Sequence, residues 1–148
     1  MSQHILGRAE RVDIPEFGLS NLPAKVDTGA YSSSIDCQKV ELVQKDGKDM
    51  LQFVLLSPGR EGYSGKLVAT TNFDRTQVTN SNGQQDRFVI FTDMAINNEH
   101  FTCRFTLTDR SKLRYPVLIG RKFIREATYL VDVSQGHGLP NDEEDRNL

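Results

Sequence analysis

The feature that most constrains the fold of this chain is an alternation of apolar and polar residues with a period of two. In the run FTCRFTLT at 101–108, four apolar residues fall on one face of an extended chain and four polar residues fall on the other. Because side chains on a β-strand point alternately to its two faces, this run predicts a strand that is buried on one side. Shorter alternations at 51–55, and at Val40 and Leu42, predict the same arrangement.

Turn-forming dipeptides separate these runs at intervals that suit hairpins. Asn-Gly and Asp-Gly readily adopt the positive φ angles that tight two-residue turns need. Three dipeptides of this kind, Asp46-Gly47, Asn82-Gly83 and Asn97-Asn98, predict hairpins that join 39–45 to 48–56, 76–80 to 87–91, and 87–96 to 99–108.

One stretch has a helical pattern, from Arg121 to about Ala127, and it directly follows Gly120. The run 129–133 predicts a last strand, and the acidic segment 135–148 predicts an unstructured tail. The sequence therefore predicts an all-β domain over 1–134, built as a closed barrel of hairpins with one short helix.

Composition excludes several classes of protein. A chain of 148 residues, 37% hydrophobic and 26% charged, is long and apolar enough for one buried core. Its longest apolar runs fall far short of the ~20 residues that cross a bilayer. No secretory signal pattern opens the sequence, so we expect a cytoplasmic protein that does not bind membranes.

The charge distribution leaves two interpretations open. A net charge of −2 argues against general binding to nucleic acid. Between Arg104 and Arg125, however, seven basic residues accompany one acidic residue, Asp109. The segment is either ordinary solvated surface or a region that attracts an acidic ligand.

Metal-binding patterns are not present in the sequence. Cys37 and Cys103 are far apart, so we expect two buried thiols rather than a structural zinc site. His4, His100 and His137 are scattered and form no His-Glu-x-x-His pair. We therefore expect no metal ion.

The segment LPAKVDTGA at 22–30 carries the chemical signal. An apolar run ends at Asp27, followed by the hydroxyl of Thr28 and by Gly29, which allows a tight loop. An ordinary turn with a hydrogen bond from the backbone to the aspartate would explain the same residues. A second motif, YPVLIGR at 115–121, places apolar residues before a glycine that opens the predicted helix.

The two motifs together resemble those of the retropepsin-like aspartic proteases, over residues 5–133. The resemblance implies that Asp27 activates the attacking water, that Thr28 braces the loop against a second subunit, and that Gly29 and Ala30 lie against the peptide substrate. Aspartic proteolysis needs two carboxylates that share a proton. Because this chain has one Asp-Thr-Gly, the resemblance implies a homodimer.

A closer resemblance is to a bacterial and archaeal branch labelled ATP-dependent zinc proteases. Its members are often associated with the ATP-grasp ligase that adds glutamate residues to a ribosomal protein, which implies an endopeptidase acting on glutamate-rich tails. The residues do not support the label. The loop at 59–67 is similar to a phosphate-binding loop, but Arg60 replaces the first required glycine and Leu67 the magnesium-binding hydroxyl. We therefore expect no nucleotide and no other cofactor.

Retropepsin-like enzymes cover their substrate with a β-hairpin flap, and two segments are candidates. Counting hairpins backward along the sequence from Gly120 favours the segment 78–83, whose tip is formed by Ser81, Asn82 and Gly83. The glycine-rich segment 57–65 is the alternative, and either segment could be a plain surface turn.

Arg121 follows the second motif and is a candidate substrate-binding residue. In viral relatives the equivalent arginine pairs with an acid just after the catalytic loop, but here that position is Tyr31. Either Asp36 or Glu126 replaces the acid, or Arg121 faces the cleft and attracts acidic peptides.

Three other functions remain open from the sequence alone. The fold could serve a dimeric binding module without proteolysis, because a fold does not dictate its function. The chain could be a metal-dependent peptidase, as the family label says. It could also be a small non-enzymatic barrel in which the Asp27 motif occurs by chance.

Overall fold

A computed structural model describes residues 4–136 of the chain. The strands are β1 (Ile5–Leu6), β2 (Ala9–Ile14), β3 (Leu19–Asp27), β4 (Ser33–Lys45), β5 (Lys48–Leu55), β6 (Leu67–Thr70), β7 (Phe73–Asn80), β8 (Gly83–Ile96), β9 (Glu99–Thr108), β10 (Val117–Gly120) and β11 (Leu130–Val131). A single 3-10 turn, Pro15–Phe17, joins β2 to β3, and the helix α1 spans Arg121–Glu126.

Six of the described strands close into a barrel. Their order is β10, β3, β2, β8, β9 and β4, and β10 also pairs with β4, which completes the circle. Most neighbours are antiparallel, but β10 runs parallel to β3 and β4 runs parallel to β9. The prediction of an all-β closed barrel with one short helix after Gly120 is confirmed.

Two hairpin extensions project from the barrel. The second half of β4 leaves the circle and pairs with β5, which in turn pairs with β6. On another side, β7 pairs along its whole length with the first half of β8. Residues 81–87 at and beyond the tip of that hairpin are exposed.

The predicted hairpins form, and at two of the three turns both residues have the expected positive φ angles. At the third turn only Gly83 does, because Asn80 pairs with Gly83 and the turn consists of Ser81 and Asn82. Asp46 and Gly47 have φ angles of 54° and 78°, and Asn97 and Asn98 have φ angles of 54° and 63°. The strand β4 begins at Ser33, six residues before the predicted start. Its first residues pair in parallel with β9, a distant partner that local alternation cannot indicate.

The core lies inside the barrel and beneath the β4–β5 pair. Phe53, Phe105 and Ile119 are each 0% exposed, so the alternations at 51–55 and 101–108 are confirmed. The same prediction is wrong for Val40, which is 40% exposed. Val40 lies on the part of β4 that has left the barrel, where neither face of the strand is fully covered.

The two ends of the described chain meet beside the barrel. β1 pairs in parallel with β11, and the Arg8 backbone N–H donates to the Gln135 carbonyl at 3.0 Å. Residues 137–148, which hold most of the predicted tail, lie outside the described residues, as does His137. No helix among the described residues is long and apolar enough to cross a membrane.

We predict that both thiols resist modification in the folded protein. Burial raises the pKa of Cys37 and of Cys103 from 9.0 to about 12, so at pH 8 the folded protein holds almost no thiolate, which is the reactive form. Titration with an aromatic disulfide reagent should therefore label neither cysteine in native buffer and both in 6 M guanidinium (~6 M denatures most domains). Rapid labelling of either thiol in the native protein would contradict this burial.

Candidate active site

Asp27 is the last residue of β3 and lies at the start of a tight turn. The Gly29 backbone N–H donates to Asp27 Oδ1 at 2.9 Å, and the Ala30 N–H donates to the Asp27 carbonyl at 3.2 Å. The side chain of Asp27 is half-buried, whereas Thr28 and Gly29 are exposed. The turn therefore presents the carboxylate at the surface and holds one of its oxygens in place.

Gly120 packs directly behind this turn. It lies opposite Asp27 in the parallel pair of β10 and β3, and its N–H donates to Ser33 Oγ at 3.0 Å. A Cβ at position 120 would lie 2.6 Å from the carbonyl carbon and oxygen of Ser32 and 2.7 Å from the Tyr31 oxygen. Only glycine allows this approach, which confirms the predicted structural role of the second motif.

The first turn of α1 also fixes the loop. The Arg121 N–H donates to the Ala30 carbonyl at 2.7 Å, and the Lys122 N–H donates to the Tyr31 carbonyl at 3.1 Å. N–H groups in the first turn of a helix have no partner within the helix, so the loop carbonyls satisfy them. The helix that the sequence predicts after Gly120 thus serves to position the residues that follow Asp27.

The side chain of Arg121 stabilises the same loop. Its Nη1 donates to the Gly29 carbonyl at 3.0 Å, and its guanidinium carbon lies 5.4 Å from the centre of the Tyr31 ring. Neither Asp36 nor Glu126 replaces the missing acid, so both of those alternatives are wrong. Glu126 pairs with Lys122 one helical turn away, and that hydrogen bond lowers the pKa of Glu126.

A buried carboxylate on β4, Asp36, forms a structural centre that the sequence did not single out. Asp36 is 0% exposed. Its two carboxylate oxygens accept four hydrogen bonds, from the Ser57 hydroxyl, Arg60 Nε (2.8 Å), Gln38 Nε2 (3.1 Å) and the Arg110 N–H (2.7 Å). These four donors compensate for the loss of water around a buried charge.

Arg60 ties the segment 57–65 to the loop that precedes β10. Its Nη1 donates to the Arg114 carbonyl at 3.1 Å, and its Nη2 donates to the carbonyls of Leu113 (2.6 Å) and Arg110. A segment anchored in this way is poorly suited to opening and closing over a substrate. The tip formed by Ser81, Asn82 and Gly83 lies at the exposed end of the β7–β8 hairpin and stays our predicted flap.

The two described histidines, His4 and His100, each lie next to a different carboxylate. His100 Nδ1 lies 2.8 Å from the Asp93 carboxylate, and His4 Nδ1 lies 3.5 Å from the Glu99 carboxylate. Within residues 4–136, no group of three or more His, Cys, Asp and Glu side chains is arranged to hold a metal ion.

A family model described as "RimB-like: Retropepsin-like aspartic endopeptidase RimB" matches residues 5–138. The chain belongs to the RimB-like family. The match covers the whole barrel, including the turn at Asp27 and the strand that ends at Gly120. The predicted resemblance to retropepsin-like proteases is confirmed at the level of family and fold.

Two curated relatives of this RimB-like chain are each named "Probable alpha-L-glutamate ligase". The protein from Desulfotalea psychrophila is 28% identical over 123 residues, which cover 82% of this chain and 26% of the relative. The protein from Shewanella halifaxensis is 29% identical over 153 residues, which cover 99% of this chain and 32% of the relative. The RimB-like chain therefore spans about a quarter to a third of the length of these curated relatives.

A solved structure shares the fold. The crystal structure of a protein of unknown function from Legionella pneumophila superposes with a TM-score of 0.73 at 24% sequence identity, covering 93% of the RimB-like chain and 98% of the other chain. At this identity the likeness shows the fold alone.

We predict that Gly120→Ala destabilises the RimB-like barrel by about 3 kcal/mol, the upper end for overpacking, because the clashing atoms belong to the backbone. Urea unfolding followed by circular dichroism measures the change. Gly47→Ala is the matched control. A Cβ there meets no atom within 4 Å, so the substitution costs only the backbone strain of an alanine at a φ of +78°. That penalty is about 1–2 kcal/mol. Equal losses in the two variants would contradict the steric account of Gly120.

Proposed function

We propose that this RimB-like chain is an aspartic endopeptidase that acts as a homodimer, with Asp27 of each subunit in one shared active site. The observation that carries the proposal is the Asp27 turn. It presents a carboxylate at the surface, fixes one of its oxygens through the Gly29 N–H, and is supported from behind by Gly120. A turn held this firmly suits a group that must meet a substrate in one orientation.

The proposed reaction uses the two Asp27 carboxylates as a pair that shares one proton. The ionised carboxylate takes a proton from water as the water attacks the peptide carbonyl, and the protonated carboxyl polarises the carbonyl oxygen. Within residues 4–136 of one chain, neither Asp36 nor Asp13 is placed for this role. Asp36 is enclosed and already accepts four hydrogen bonds, and Asp13 lies on β2 and accepts a bond from the Asn21 N–H.

The exposed side of the turn supports the twofold arrangement. Thr28 and Gly29 are the residues of the turn that lie at the surface. In a symmetric dimer the same patch meets its own copy, so two such turns can approach each other at the axis. There Thr28 would donate a hydrogen bond across the axis and brace the two loops.

Acidic peptides are the substrate class that we propose, with glutamate-rich protein tails as the main example. Two observations support this class: the basic stretch that flanks the site, and relatives whose name refers to a glutamate ligase. In this proposal Ala30 and Arg121 line the cleft, and the hairpin tip at Ser81, Asn82 and Gly83 covers the peptide. The activity is cytoplasmic and uses no metal ion or nucleotide.

We predict that Asp27→Asn abolishes cleavage of a pool of glutamate-tailed peptides. The amide cannot take the proton from water, so the rate should fall by roughly 10³-fold or more, as for other residues that act as a catalytic unit. Mass spectrometry of the products measures cleavage. The wild-type rate should be bell-shaped in pH, because one carboxyl of the pair must be ionised and the other protonated.

Asp13→Asn is the control, since it makes the same chemical change at an exposed aspartate outside the turn. It should leave the rate within about twofold of wild type, as for surface substitutions in general. Cleavage that survives Asp27→Asn but stops on addition of a chelator would refute the aspartic mechanism and support a metal-dependent peptidase. No cleavage by wild-type protein at any pH would also contradict the proposal and favour a non-catalytic dimer.

A further inference from the structure

Arg110 differs from the rest of the basic stretch because it is buried. It is 8% exposed, whereas Arg121 and Arg125 of the same stretch are exposed. Its Nε donates to the Tyr115 carbonyl at 3.0 Å, and its Nη1 donates to Ser34 Oγ at 3.3 Å. The remaining nitrogen, Nη2, donates to no described residue and is not fully enclosed.

The charge of Arg110 has no carboxylate partner of its own. Asp36 forms its ion pair with Arg60 and contacts Arg110 through the backbone N–H. Among the described residues, no carboxylate lies within 4.0 Å of the Arg110 guanidinium. Burial, followed by the charge of Arg60, lowers the pKa of Arg110, while Asp36 and Asp27 favour the charged form. An arginine stays protonated in proteins, so a buried positive charge remains that is not paired directly with a carboxylate of the described residues.

This positive charge lies close to the proposed catalytic group. Ser34, which accepts the bond from Nη1, lies opposite Leu118 of β10. Asp27 lies opposite Gly120 of the same strand, two residues further along. Because β10 lies between β3 and β4, two strand spacings, about 10 Å, separate Ser34 from Asp27 in addition to the two residues along the strand, about 7 Å, so their backbones lie roughly 12 Å apart. Asp27 is also among the charges that act on the Arg110 guanidinium. A side chain a few positions from the scissile bond of a bound peptide can therefore reach Arg110.

We propose that Arg110 is the residue that selects an acidic side chain a few positions from the scissile bond, with Nη2 donating to the substrate carboxylate. This inference rests on the proposed function and names the residue that confers its specificity. The bound carboxylate would pair directly with the guanidinium, which no described carboxylate does, in a partly buried place where a charge-assisted hydrogen bond is strong. Arg121, which is exposed and holds the Gly29 carbonyl, assists the approach of an acidic chain without selecting a position.

The test compares peptides that differ at one position. Each glutamate around the cleaved bond is replaced in turn by glutamine, which keeps the shape and removes the charge. For wild type, one position should dominate, with kcat/KM falling roughly 10- to 100-fold, the value of a hydrogen bond between charged groups. If no position changes kcat/KM by more than about twofold, the proposal is overturned without any protein variant (twofold is about 0.4 kcal/mol).

The protein variants then identify the selecting residue. Arg110→Gln should reduce the discrimination at the dominant position to about twofold or less, because the charge-assisted bond is lost. Arg125→Gln removes the same charge from an exposed site in the same basic stretch and should keep the full discrimination. If Arg110→Gln still prefers glutamate as strongly as wild type, the assignment is wrong. If Arg110→Gln does not fold, Arg110→Lys is the second variant. It keeps the charge but loses the guanidinium, so it should retain a weaker preference for glutamate at the same position. A preference for glutamate over glutamine equal to that of wild type would exclude selection by the guanidinium.

A binding measurement separates this inference from the proposed function. Asp27→Asn protein should bind a blocked triglutamate peptide in calorimetry, and Asp27→Asn with Arg110→Gln should bind it at least about 10-fold more weakly. If the wild-type protein shows no cleavage and the two variants still differ in their affinity for triglutamate, the proposed function is refuted and the carboxylate site is supported. If neither protein binds triglutamate, or both bind it equally, the carboxylate site is refuted.

Discussion

The close approach of Gly120 to the backbone of Ser32 determines how the site is built. Because no side chain separates the two segments, β10 can lie between β3 and β4 and close the barrel. The same contact sets the carbonyls of Ala30 and Tyr31 opposite the first N–H groups of α1. The turn at Asp27 is therefore held by the strand and by the helix together, in addition to its own two hydrogen bonds, from the Gly29 N–H to the carboxylate and from the Ala30 N–H to the Asp27 carbonyl.

Asp36 provides a second fixed point, on β4. Its carboxylate joins β4 to the segment 57–65 through Ser57 and Arg60, and to the loop before β10 through the Arg110 N–H. Removing one partner of a buried ion pair is usually more damaging than replacing both, so these side chains act as a unit. The result is a set of anchored segments around Asp36, whereas the β7–β8 hairpin has an exposed tip. Enzymes that close over their substrate commonly combine these two properties.

Local sequence patterns predicted the features that depend on neighbours in the chain. The alternation at 101–108, the turn at Asp46-Gly47 and the short helix after Gly120 are all present. Features that depend on distant partners were not predicted, including the start of β4 at Ser33 and the exposure of Val40. The network around Asp36 also joins residues more than 70 positions apart, and no spacing rule brings them together. For the site, the Asp27 motif was visible in the sequence, whereas the burial of Arg110 against Ser34, 76 positions away, depends on tertiary packing.

The central claim is that two Asp27 turns meet at a twofold axis, and an experimental structure of the protein in its solution assembly tests it most directly. The measured quantity is the distance between the two Asp27 carboxylates. The account predicts a dimer with these groups about 3 Å apart, close enough to share a proton. A monomer at high protein concentration, or a dimer whose Asp27 turns face away from each other, would contradict it.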